Sequence, residues 1–133
     1  MLTPILAMVI WTLIVWLWMY SLRIPAMQKA RIAPQSAQHP GSLDSLPANV
    51  RSAADNYNHL HEAPTVFYAL AVYVHLAGAT DQVSVFLAWG FVALRVLHSF
   101  AQIVLRNVMA RFSLFVLSTL CLMIIAVRAL LAL

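Results

Sequence analysis

Four apolar stretches dominate the chain: Leu2 to Leu22, Ala63 to Thr80, Gln82 to Leu105 and Phe112 to Leu133. Each meets the roughly 17–25 residues that a helix needs to cross a bilayer. Peptide groups in the hydrocarbon core find no water, so the backbone there must satisfy itself, and a helix does so within a single segment. Over 133 residues the chain is 63% hydrophobic and only 9% charged, a balance that excludes an ordinary soluble domain. The fold expected is all-α: one integral membrane four-helix bundle over residues 1–133. Its spans are expected at about 2–22, 63–80, 82–105 and 112–133, the second forming the end of a helix that starts near residue 46.

The stretch Arg51 to Pro64 places most of the hydrophilic chemistry directly before the second apolar run. At about 100° per residue, Arg51, Asp55, Asn58 and Glu62 share one narrow stripe, which Thr65, Ala69 and Tyr73 continue. The third span carries Arg95, His98, Ser99, Gln102 and Arg106 at i, i+3, i+4, i+7 and i+11, again one helical face. A charge at the bilayer centre costs about 2.5–3.5 kcal/mol on insertion scales, so Arg95 is expected to face other helices or a wet cavity. Glu62 and Asp55 are the carboxylates it could meet. One ion pair locking two helices is a purely structural reading, but two polar stripes leave more donors than one pair can satisfy.

The first stretch has no basic leader region, too long an apolar core for a secretory signal and no Ala-x-Ala pattern, so it is expected to be a retained span. Trp11, Trp16, Trp18 and Tyr20 gather toward its C-terminal half, where rings favour the headgroup boundary. Residues 23–48 form the one long polar connection, in which Pro25, Pro34, Pro40, Gly41 and Pro47 should prevent a continuous helix. Asp44 or Ser45 is expected to cap the next helix, and Pro64 to kink it. Gly78 to Asp81 reads as a tight turn in which Thr80 or Asp81 caps the third helix. Six of the eight basic residues flank the first and third loops, which the positive-inside tendency places in the cytoplasm.

The net charge of +4 belongs to residues beside membrane segments, so it does not indicate nucleic acid. The single cysteine, Cys121, has no partner for an intrachain disulfide. His59 and His61 leave a helix on different sides and no His-x-x-x-His pair shares a face, so no metal site is expected.

The wording from Asn49 through Arg51, Asn58, Glu62 and Pro64 to Phe67, followed by Arg95-Val-Leu-His98-Ser and by Arg106-Asn-Val-Met-Ala-Arg111-Phe, resembles the MAPEG family, the membrane-associated proteins in eicosanoid and glutathione metabolism, in its bacterial branch. The likeness extends over essentially the whole chain. It implies a left-handed four-helix protomer, a homotrimer in the bacterial inner membrane, and glutathione bound between neighbouring subunits near the cytoplasmic face.

By this resemblance Arg51 and Asn58 correspond to the arginine and asparagine of the family's second-helix motif. The family's glutamate falls at His61 here, with Glu62 one residue later, a displacement of about 100° on the helix. Arg95 and His98 match an Arg-x-x-His, and Gln102 stands where several catalytic relatives have tyrosine. Arg111 falls at the glutathione-activating arginine, while Phe112 and Phe115 replace a serine and a tyrosine. The implied site is Arg111 for catalysis, with Arg51, Asn58, Glu62, Arg95, His98 and Gln102 binding glutathione as cosubstrate. Guanidinium forks opposite a carboxylate and an amide suit a tripeptide with two carboxylates and one ammonium. The implied activity is a glutathione transferase or peroxidase acting on lipophilic electrophiles or lipid hydroperoxides. A non-catalytic relative that binds lipid or another membrane protein has the same architecture. A small transporter would need discontinuous spans, and the sequence offers one break.

Overall fold

The computed structural model describes residues 1–39 and 41–133, and all of its regular structure is helical. Helix α1 spans Leu2–Lys29, α2 Ala48–His59, α3 Ala63–Leu76, α4 Gln82–Phe100 and α5 Val108–Leu131. A π-helical turn, Ala101–Leu105, extends α4. Three of these rods are long and apolar enough to cross a membrane: α1, α4 with its π-turn, and α5. The fourth column of the bundle is α2 followed by α3. Helix α1 packs on α2, α3 and α4, whereas α5 packs on α3 and most extensively on α4.

Two expectations about proline are corrected. Pro25 lies inside α1, which runs on to Lys29, so the first helix is 28 residues long. At 1.5 Å per residue it is about 42 Å long, more than the roughly 30 Å of hydrocarbon that a spanning helix has to cross. Pro64 does not kink a continuous helix. Helix α2 stops at His59, Leu60 to Glu62 turn, and Pro64 sits in the first turn of α3, where its missing N–H has no partner to lose. The helix that follows the break, α3, is accordingly only 14 residues, about 21 Å long.

The caps are divided. Asp81 caps α4 as expected, its carboxylate accepting from the Ser84 amide at 2.9 Å. That bonding, assisted by Arg128, lowers the Asp81 carboxyl to about 2. Gly78, at φ +68°, makes the preceding turn. Neither Asp44 nor Ser45 caps α2. Pro47 occupies the N-cap, and no side chain bonds there.

Met8, Val15, Phe67, Ala71, Val74, Phe91, Leu122 and Ile125 form the main core, in which Phe67 stacks on Phe91 with centroids 4.6 Å apart. A smaller core of Met19, Ala53 and Ile103 lies at the other end. The outer faces keep large apolar side chains exposed, among them Leu6, Leu13, Phe86, Leu97, Met123 and Leu130. Lipid tails are as apolar as leucine, so this exposure costs nothing in a bilayer. The protomer is held by close packing and internal polar bonds.

Candidate functional site

The break between α2 and α3 faces the polar side of α4, and the buried polar groups collect there. Arg95 is fully buried, its Nη2 donating to the His59 carbonyl at 3.2 Å. Its Nε and Nη1 have no hydrogen-bond partner, and its guanidinium lies 5.9 Å from the Phe91 ring centroid and 5.8 Å from that of Phe115. The expected carboxylate partners do not reach it. Glu62 is exposed and pairs with His59 Nδ1 at 3.0 Å, and Asp55 lies at another cleft. The physical reason is the helix break, which turns Glu62 out of the stripe that a continuous helix would have given it. The His59 carbonyl at the end of α2, which also accepts from the Glu62 amide at 3.2 Å, takes its place.

The third-helix stripe holds for four of its five members. Arg95, His98, Ser99 and Gln102 are all buried, whereas Arg106 is exposed because the chain leaves the helix there at φ +52°. Gln102 sits on the π-turn and accepts from Asn56 Nδ2 at 3.0 Å. Ser99 accepts from the Trp11 indole at 3.1 Å and donates to the Arg95 carbonyl at 3.1 Å. These bonds tie α1, α2 and α4 together. They also engage Gln102, the group expected to orient a ligand, with a protein neighbour.

The other expected site residues divide between two clefts. Arg51 and Asn58 line a polar cleft of about 450 Å³ with Arg23, His39, Asp44 and Asp55. Glu62, His98 and Arg111 line a second cleft of about 260 Å³ with His59, Val108, Phe112 and Phe115. Arg51, Arg95 and Arg111 therefore share no cleft within one chain. Asn58 of one cleft and His59 of the other are consecutive residues, so both clefts open along the same end of α2. The His59 and His98 rings lie 5.9 Å apart at right-leaning angles, with an interplanar angle of 69°. Among the described residues, no three histidine, cysteine or acidic side chains come together as a metal set.

Sequence reasoning missed Asn56, His59 and the π-turn. Asn56 had a legible signal, because it lies with Ala53 and Leu60 on the side of α2 that is otherwise apolar. His59 acts through its backbone carbonyl, which no side-chain pattern reveals. A π-turn frequently marks a functional site, and here it positions Gln102.

Three membrane-length helices and a broken fourth column, closed around a buried arginine, define an integral membrane helical bundle. The buried Arg95 and His98 lie on α4 and the exposed Arg51 on α2. The chain belongs to the MAPEG family, whose model matches residues 1–131. Comparison with curated proteins and with solved structures gives no match.

Proposed function

We propose that the protein is a glutathione-dependent transferase or peroxidase of the inner membrane acting on lipophilic electrophiles or lipid hydroperoxides. The observation that carries this reading is the pair of clefts meeting at Asn58 and His59, one lined by charges of both signs and the other holding Arg111 beside aromatic walls. The first offers Arg51 and Asn58 to a carboxylate and Asp55 or Asp44 to an ammonium, which matches the zwitterionic glutamyl end of glutathione. An extended tripeptide spans about 10 Å, enough to reach from Asn58 past the helix break toward Glu62. Arg111 then stands by the sulfur, where a guanidinium favours thiolate over thiol. In the transferase reaction the thiolate attacks an electrophilic carbon and the leaving group departs with the bonding pair. In the peroxidase reaction the O–O bond of a hydroperoxide breaks to give the alcohol and water, while two glutathiones are oxidised to the disulfide and supply the two electrons and two protons. Phe112 and Phe115 give the acceptor an apolar approach from the lipid. A homotrimer, with the first and third loops cytoplasmic, would let a neighbour close the open clefts. Arg95 and Gln102, engaged internally, serve in this reading as supports and do not touch the ligand.

A second reading is favoured by one feature: the cleft around Arg111 carries phenyl rings at Phe112 and Phe115 and no hydroxyl. A non-catalytic lipid-binding or protein-binding member of the family needs none. The purified protein, supplied with glutathione and either a chlorinated aromatic or a lipid hydroperoxide, separates the two. Turnover that falls in Arg111→Ala supports the enzyme. Absent turnover, with glutathione binding unchanged in Arg111→Ala, rules it out.

A further inference from the structure

A groove of about 560 Å³ adjoins the polar cleft, sharing Arg23, Ala37 and Leu43 with it, where the last turns of α1 meet the connection that follows. Its walls are mostly apolar, formed by Ile24, Met27, Ile32 and Leu43 with Gln28 among them, and its charged end is Arg23 beside Tyr20. The Arg23 guanidinium lies 5.9 Å over the Tyr20 ring, and its Nε is buried without a hydrogen-bond partner. The depth of the groove is set by sequence. Trp16, Trp18 and Tyr20 precede it by one or two turns, and such rings settle at the headgroup boundary. Its charge is equally one-sided. Arg23, Lys29 and Arg31 follow one another with no acidic residue anywhere before Asp44. Among the described residues the ion pairs are His59 with Glu62 and Asp81 with Arg128, and neither involves these three cations.

The geometry points to a binding site for an anionic phospholipid of the surrounding leaflet, with its phosphate on Arg23 and one acyl chain along Ile24, Met27 and Ile32. Charge complementarity selects an anionic headgroup, and an apolar wall continuous with the lipid-facing side of α1 selects a molecule that brings its own chain. A small soluble anion would leave that wall unused. This inference does not rest on the glutathione reading: Arg23 is shared with the polar cleft, but Ile24, Met27 and Ile32 line neither cleft, so Met27→Trp tests the groove without touching that site.

Native mass spectrometry of the full-length protein in detergent, titrated with phosphatidylglycerol or with phosphatidylcholine, tests it. The wild type should retain phosphatidylglycerol about ten-fold more tightly. Arg23→Gln should erase that difference, and Met27→Trp, which fills the groove, should weaken retention of both lipids while circular dichroism stays unchanged. The paired change Lys29→Gln with Arg31→Gln should leave the preference within about two-fold. Equal retention of the two lipids by the wild type would overturn the site, as would undiminished retention in Met27→Trp. Loss in the Lys29/Arg31 pair as great as in Arg23→Gln would replace it with diffuse surface attraction. Oleate binding as tightly as phosphatidylglycerol would overturn the choice of a phospholipid. Should Arg23→Gln fail to fold, Met27→Trp decides alone.

Discussion

Replacing Arg95 by methionine puts a number on the charge at the centre of the bundle. Arg95 is 0% exposed and makes one hydrogen bond, to the His59 carbonyl. A hydrogen bond from a charged donor contributes about 1.5–3 kcal/mol, and the two aromatic faces about 1–2 kcal/mol each when dry. Against this stands a desolvation penalty of several kcal/mol for a buried ion, with Nε and Nη1 left unpartnered. The two sides cancel to within about 2 kcal/mol. Arg95→Met keeps an unbranched apolar stem of similar reach, so it should change stability by less than about 2 kcal/mol in either direction. Arg95→Ala has the same electrostatic consequence and adds a cavity between Phe91 and Phe115, so it should lose a further 2–4 kcal/mol or so. Unfolding in mixed detergent micelles, followed by circular dichroism, reads both. A loss above about 4 kcal/mol in Arg95→Met would refute the reasoning, because the free nitrogens would then have a strong partner in the assembled protein.

Four further outcomes follow from the same geometry. Asn56→Leu leaves Gln102 buried and unpaired and should cost about 1–3 kcal/mol, part of which Gln102→Leu should restore in the double variant, measured by the same unfolding assay. Asp81 titrates near 2 when folded, below the usual carboxylate value of about 4. Because the folded value is depressed, its contribution is complete above about pH 4 and is lost as the pH falls through about 2, a dependence that Asp81→Asn should remove from the curve of melting temperature against pH. Arg111→Ala should lower glutathione-dependent turnover about a hundred-fold, with the thiolate absorbance of bound glutathione falling in parallel. Arg51→Ala should raise the KM for glutathione about ten-fold and leave kcat within a few-fold, since it holds a carboxylate away from the sulfur.

The two stripes show how far local periodicity carries and where it stops. On α4 the pattern from Arg95 to Gln102 needed only an uninterrupted helix, and those four residues are buried together. On the second column the stripe assumed that Glu62 continued the helix of Arg51, Asp55 and Asn58. Pro64 was legible as a disturbance, but a proline in a helix interior and a proline in a first turn read alike. Which occurs depends on whether the preceding residues gain more from continuing or from turning, and here the turn presents the His59 carbonyl to Arg95.

By itself the sequence determined the class of the molecule. Runs of apolar residues of bilayer length call for helices, and the motif wording marks the family. These are properties of single segments, each settled by its own solvent. Tertiary structure alone decided which polar groups meet: Arg95 with the His59 carbonyl, Asn56 with Gln102, Trp11 with Ser99, and Arg51 apart from Arg111 in a separate cleft. Those pairings depend on how rods of nearly uniform apolar surface rotate against one another, and a one-dimensional pattern of hydrophobicity leaves that rotation open.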